Sequence, residues 1–154
     1  MRIYFFALVL FVFSCKKPQP PVLIDVNVNI HYIDNSSREL FSNGLNGYLV
    51  KDVRLYSIKN NVKELIYTPT TSVYKPDYPY GYNIDSSTGR KYFIVFSNVN
   101  IVNDTSLIII SLKPNVDDTL KCSFTYPNSN PSSIKCDKVW YNGKLVSREF
   151  DVIK

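Results

Sequence analysis

Few residues in this chain could do chemistry. His31 is the only histidine. A histidine can serve as general base or metal ligand, but either role needs partners: a nearby Ser or Cys nucleophile, or further ligands. The stretch Asn29-Ile30-His31-Tyr32-Ile33 supplies neither, and it places His31 on the polar side of an alternating pattern, as an exposed strand residue. A small hydrolase using His31 would need its triad assembled in space. Gly-x-Ser-x-Gly and His-Glu-x-x-His are both absent. Asn103, Asp104, Asn115, Asp117 and Asp118 offer hard oxygens that suit calcium, yet no Asp-x-Asp-x-Asp-Gly loop gathers them. Their expected place is in solvated turns that open strands. Cys122 and Cys136 form an even pair, which in an exported chain reads as a disulfide. The closed loop is about 15 residues long, worth about 3 kcal/mol of chain entropy. Metal binding by two lone cysteines is the weaker reading.

Recognition is the other chemistry on offer. Tyr74, Tyr78, Tyr80 and Tyr82 cluster around prolines and Gly81. Tyrosine presents a flat face and a hydroxyl and orders at low entropic cost. On loops at the end of a sandwich, such rings could stack on sugars or grip a protein. They could equally pack against the prolines and cap the core. Trp140, the single tryptophan, is expected in the core near the cysteine pair.

Chain organisation starts from the amino terminus. Met1-Arg2 is followed by an apolar run from Ile3 to Phe13, about half the length needed to cross a bilayer. Its length and flanks are those of a secretory signal peptide. The run ends in Val12-Phe13-Ser14-Cys15, which resembles the bacterial lipobox: an aliphatic residue, a variable one, a small one, then Cys. That resemblance implies cleavage before Cys15, a diacylglycerol thioether on its sulfur and an acyl chain, such as palmitate, on its amino group. Several acyl chains hold a protein stably on a membrane, where one binds only marginally. The resemblance covers residues 1 to 15. Asp118-Thr119-Leu120 also resembles the acceptor of some bacterial periplasmic O-glycosylation systems, but three residues recur by chance often, and Thr119 fits better as the start of a strand.

Lys16-Lys17-Pro18-Gln19-Pro20-Pro21 follows. Its prolines favour an extended, semi-rigid stalk of about 19 Å. Both lysines could touch anionic head groups. No Asp follows Cys15 and no acidic cluster lies nearby, which by the same resemblance points to the periplasmic face of the outer membrane. The expected division is therefore a signal peptide over residues 1–14, a lipidated Cys and proline-rich tether over 15–21, and one domain over 22–154.

The chain has 154 residues and a net charge of +5, spread along its length. With no Lys/Arg run, zinc spacing or RNA-binding aromatic signature, nucleic acid is not an expected partner. No cofactor or metal is expected either.

The elements that must position these residues read as strands. Ile24, Val26, Val28, Ile30 and Tyr32 alternate with polar residues, and so do Leu120, Cys122, Phe124 and Tyr126. Val50–Ile58 and Val62–Tyr67 form a pair across Lys59-Asn60-Asn61, while Asn35–Asn46 reads as a loop. Lys91–Phe96 and Ser106–Leu112 are apolar on both faces, which suits central strands covered on two sides. Ser72–Lys75 adds a further short strand, and Ile134, Cys136 and Trp140 should share a face. Asn142-Gly143 predicts a type I′ hairpin pairing Trp140 with Leu145 and Val139 with Val146. Nothing after Cys15 shows sustained helical periodicity.

The expected fold is all-β: an antiparallel two-sheet sandwich of eight or nine strands, immunoglobulin-like or transthyretin-like. Gly47–Ser57 loosely resembles the early strands of carboxypeptidase-regulatory-like domains, a likeness that carries no functional residues. The expected function is that of a membrane-anchored, non-catalytic envelope lipoprotein that binds or supports another envelope component. The alternatives are a glycan-binding module using the tyrosine loop and a hydrolase using His31.

Overall fold

The computed structural model describes residues 22–41, 47–66, 81–127 and 132–154. Eleven strands lie among them. They are β1 (Ile24–Asp25), β2 (Asn27–Ile33), β3 (Arg54–Lys59), β4 (Val62–Leu65), β5 (Tyr82–Asp85) and β6 (Tyr92–Phe96), then β7 (Thr105–Lys113), β8 (Val116–Thr125), β9 (Ile134–Tyr141), β10 (Lys144–Val146) and β11 (Glu149–Ile153). Two sheets form a sandwich. The larger runs β1-β9-β8-β7-β3-β4, with β10 also on β9, and the smaller runs β11-β2-β6-β5. The strand pattern expected at Ser72–Lys75 lies outside the described residues, as does the signal segment.

Alternation in the sequence becomes alternation in burial. On β8, Asp118, Leu120, Cys122 and Phe124 point inward, while Thr119, Lys121 and Thr125 are exposed. On β2, Val28, Ile30 and Tyr32 are fully enclosed. Facing them across the layer are Leu55, Ile108, Ile110, Leu112 and Leu120, in one continuous core. Burying side chains of this size from water contributes about 1.5–3 kcal/mol each before entropy is counted. The stretch expected to be a loop at Asn35–Asn46 also feeds the core. Leu40 and Phe41 are buried, and the Phe41 ring stacks on Phe93 at 5.2 Å with Tyr32 edge-on to both.

Turn chemistry sets two hairpins. Asn60 and Asn61 have φ of 50° and 62° between β3 and β4, and Asn142 and Gly143 have φ of 48° and 79° between β9 and β10. Two successive positive φ values suit the right-handed twist of the flanking strands. The second hairpin pairs Leu145 with Trp140 and Val146 with Val139, as the Asn-Gly signal predicts.

The sheets are mixed, not purely antiparallel. β1 runs parallel to β9, and β11 runs parallel to β2. The chain crosses between the layers twice. It leaves the larger sheet at Val26 to enter β2, and again at Ser147-Arg148 to enter β11. The first crossing carries the strand direction on; β10 runs antiparallel to β9, so the second reverses it and brings β11 parallel to β2.

β7 departs from the two-sided cover expected of it. Ser106, Ile108, Ile110 and Leu112 are enclosed, but Leu107 is 39% exposed and Ile109 half-exposed. Its second apolar face looks outward.

Candidate functional site

The smaller sheet positions His31. Its place on β2 alternates with the core residues, so its side chain belongs to the outer face, yet it is buried. Polar neighbours enclose it, which corrects the exposed position expected from sequence. The parallel register sets Asp151 of β11 directly opposite His31. Asp151 Oδ1 lies 3.0 Å from Nδ1, and Glu39 Oε1 lies 3.0 Å from Nε2. Arg90 Nη2 closes the cluster, 2.8 Å from Nδ1 and 2.9 Å from Asp151 Oδ1. Lys91 N donates to Glu39, and Tyr92 packs its ring 5.8 Å from the imidazole while donating its hydroxyl to Glu149. A hydrolytic base needs one ring nitrogen aimed at a nucleophile and the other held by an orienting group. Here carboxylates face both nitrogens, so the imidazole is built into a charge cluster that joins β2, β11 and the Glu39 turn. Asp151 is 120 residues away in sequence, and nothing local in the sequence announces the pairing.

Asp118 is also not the solvated turn acid expected. It is 1% exposed. Its oxygens accept from Asn142 Nδ2 at 2.9 Å, Lys154 Nζ at 2.5 Å and Tyr32 Oη at 3.4 Å. Tyr141 Oη donates to Tyr32 Oη at 3.3 Å. Burial holds both tyrosine hydroxyls well above their ordinary range. Asp117 instead faces out and pairs with Lys63 at 3.0 Å. Of the oxygens read as calcium donors, Asp118 is thus in a buried network and Asp117 in a surface ion pair, while Asn103, Asp104 and Asn115 are exposed. Among the described residues no three His, Cys, Asp or Glu side chains converge as metal ligands would. Thr119 is exposed, and its backbone N–H donates to Asn142 Oδ1 at 2.7 Å.

Cys122 and Cys136 come together on β8 and β9 as buried free thiols. Their mutual interaction pushes the Cys122 thiol up, with burial adding to the effect, and draws the Cys136 thiol down. The register between these strands shifts after Ser123. Cys122 faces Val139, but Phe124 faces Cys136. The extra residue reverses the parity of β9, so Cys136, Val139 and Tyr141 point inward and Trp140 points out. Trp140 is therefore neither in the core nor on the face of Cys136, contrary to the sequence pattern. It is half-exposed, and Lys121 Nζ stands 5.4 Å from its ring centroid. A bulge is a backbone event, with no glycine here to mark it.

Of the tyrosine cluster, Tyr74, Tyr78 and Tyr80 lie outside the described residues, as do Cys15 and the tether. Tyr82 opens β5, half-buried; its hydroxyl donates to the Val50 carbonyl at 2.8 Å and its ring packs 4.9 Å from Phe93. No described protein family, curated protein or solved structure matches this chain.

Proposed function

We propose that this chain is a lipid-anchored, non-catalytic β-sandwich protein of the bacterial cell envelope, whose domain binds or supports another envelope component. The observation that carries the reading is Val12-Phe13-Ser14-Cys15 at the end of a short apolar run, followed by a proline-rich stretch and a first strand that opens at Ile24. In this reading residues 1–14 are removed, acyl chains on Cys15 fix the protein to the outer membrane on its periplasmic side, and residues 15–21 space the domain from the lipid. Cys122 and Cys136, buried side by side on neighbouring strands, join as a disulfide in that oxidising compartment.

Absence of catalysis is supported by His31. Both its nitrogens face carboxylates, so a hydrolase would first have to dismantle the cluster. The glycan-binding alternative keeps Tyr74, Tyr78 and Tyr80 as its candidates, while Tyr82 is committed to Val50 and Phe93. The test is Cys15→Ala. It should move the protein from the membrane to the soluble fraction and abolish palmitate labelling. Membrane retention with no change in labelling would end the anchor reading.

A further inference from the structure

Among the described residues, the outer face of the larger sheet carries exposed apolar side chains on several neighbouring strands. Followed from β4 to β10 by register, Lys63, Ile58, Leu107, Lys121, Trp140 and Leu145 form one row across the sheet. A second row holds Leu65, Tyr56, Ile109 and Thr119. Leu65 is 51% and Leu145 65% exposed. Apolar side chains gathered on the outside of a two-layer fold, with lysines set among them, are the composition of an interaction surface. Its charges have one dominant sign. Arg54, Lys63, Lys121 and Lys138 share the face, against Asp117 and, at the bulge, Asp137. Lys63 is paired with Asp117; among the described residues neither Lys121 nor Lys138 has a carboxylate partner.

We infer that this face docks on an anionic lipid surface, with Trp140, Leu107 and Leu145 seated among the head groups and the lysines against phosphates. The inference rests on the proposed anchor for its proximity to a membrane. β1, which the tether enters, pairs with β9 on the edge of this same sheet. Three occupants compete, and the chemistry separates them. A second copy would bring two faces of the same dominant positive sign together. A sugar ring would need an open aromatic face, but Lys63 Nζ stands 4.2 Å from the Tyr56 centroid, and Lys121 caps Trp140 in the same way. An anionic bilayer needs no open ring. Tryptophan favours the depth of the head groups, and lysine stems lie along apolar surface while their ammonium groups reach for phosphate.

Trp140 is the only tryptophan, so its emission reports on this face alone. The full acylated protein is reconstituted into vesicles of phosphatidylcholine with or without phosphatidylglycerol, with lipids brominated near the head group as quenchers. With phosphatidylglycerol the emission should shift to shorter wavelength and lose about half its intensity to the quencher. The double variant Lys121→Glu, Lys138→Glu should return both readings to the values seen in phosphatidylcholine alone. Protein that floats with the vesicles while Trp140 stays unshifted and unquenched overturns the inference and leaves the anchor standing. Failure to float, with no acyl mass on Cys15, removes the anchor. The same quenching measured on full-length Cys15→Ala with excess anionic vesicles then decides the face by itself: quenching supports it and its absence overturns it. A shift that follows protein concentration, or added glycan, rather than anionic lipid also overturns it.

Discussion

At the scale of single residues, the side chains with reactive potential are mostly bound up in structure. His31 sits between two carboxylates, Asp118 sits under Lys154 and Asn142, and Cys136 is buried beside Cys122. Among the described residues no buried side-chain polar atom lacks a hydrogen-bond partner. Each of these groups would cost free energy if its partner were removed, because a buried polar group without a bond retains its desolvation penalty. The cysteine pair belongs to this scale. Peptide mapping under non-reducing conditions of protein isolated from its native cells should recover Cys122 linked to Cys136. Two alkylatable thiols would show that the bridge does not form. Reducing the bridge should lower stability by about 3 kcal/mol, the entropy of a loop of about 15 residues.

At the scale of elements, the β8–β9–β10 meander decides what each surface carries. The register shift after Ser123 keeps both cysteines inside and turns Trp140 out. The β9–β10 turn does two jobs at once. Asn142 takes a left-handed backbone conformation, and its amide bonds both Thr119 N–H and Asp118. Asn142→Ala removes the amide, strains the turn and leaves Asp118 short of a donor, at a cost of about 2–3 kcal/mol. Asn142→Gly keeps the turn and loses only the amide bonds, so it should fall between alanine and wild type. Urea unfolding midpoints of the three proteins check the order. Gly81 presents a tighter case, since a Cβ there would stand 2.9 Å from Ile66 Cγ2 with φ at +76°.

At the scale of the whole molecule, the two layers are tied where the chain crosses between them. Arg148, on the second crossing, donates to Asp25 Oδ2 at 2.6 Å and to the Asn27 carbonyl beside the first. The hydrogen bond from Arg148 is the main reason the Asp25 carboxyl titrates below its ordinary 3.8. A depressed carboxylate stabilises the fold above its unfolded value, and that stabilisation is lost as pH falls through the folded one. Asp25→Asn should therefore be less stable than wild type near neutral pH, and the gap should close as the pH falls below the ordinary carboxylate range. Both side chains are about one-third exposed, so screening keeps the neutral-pH difference to about 0.5–1 kcal/mol and salt should narrow it further. A gap that widens in acid would contradict the assignment. β1 lies at the edge of the larger sheet, paired with β9.

The sequence alone determined the all-β class, the alternating faces of β2 and β8, the paired position of the cysteines and both asparagine turns. These depend on period-two patterning and local φ preference, which neighbouring residues specify among themselves. Tertiary structure alone decided the parallel placement of β11 on β2, the bulge in β9 and the open outer face of β7. It thereby decided the enclosure of His31, the burial of Asp118 and the exposure of Trp140. Each of those outcomes depends on which distant strand lies alongside and in what register. A periodic pattern states that one face of a strand is apolar, but only the assembled layers determine whether anything covers it.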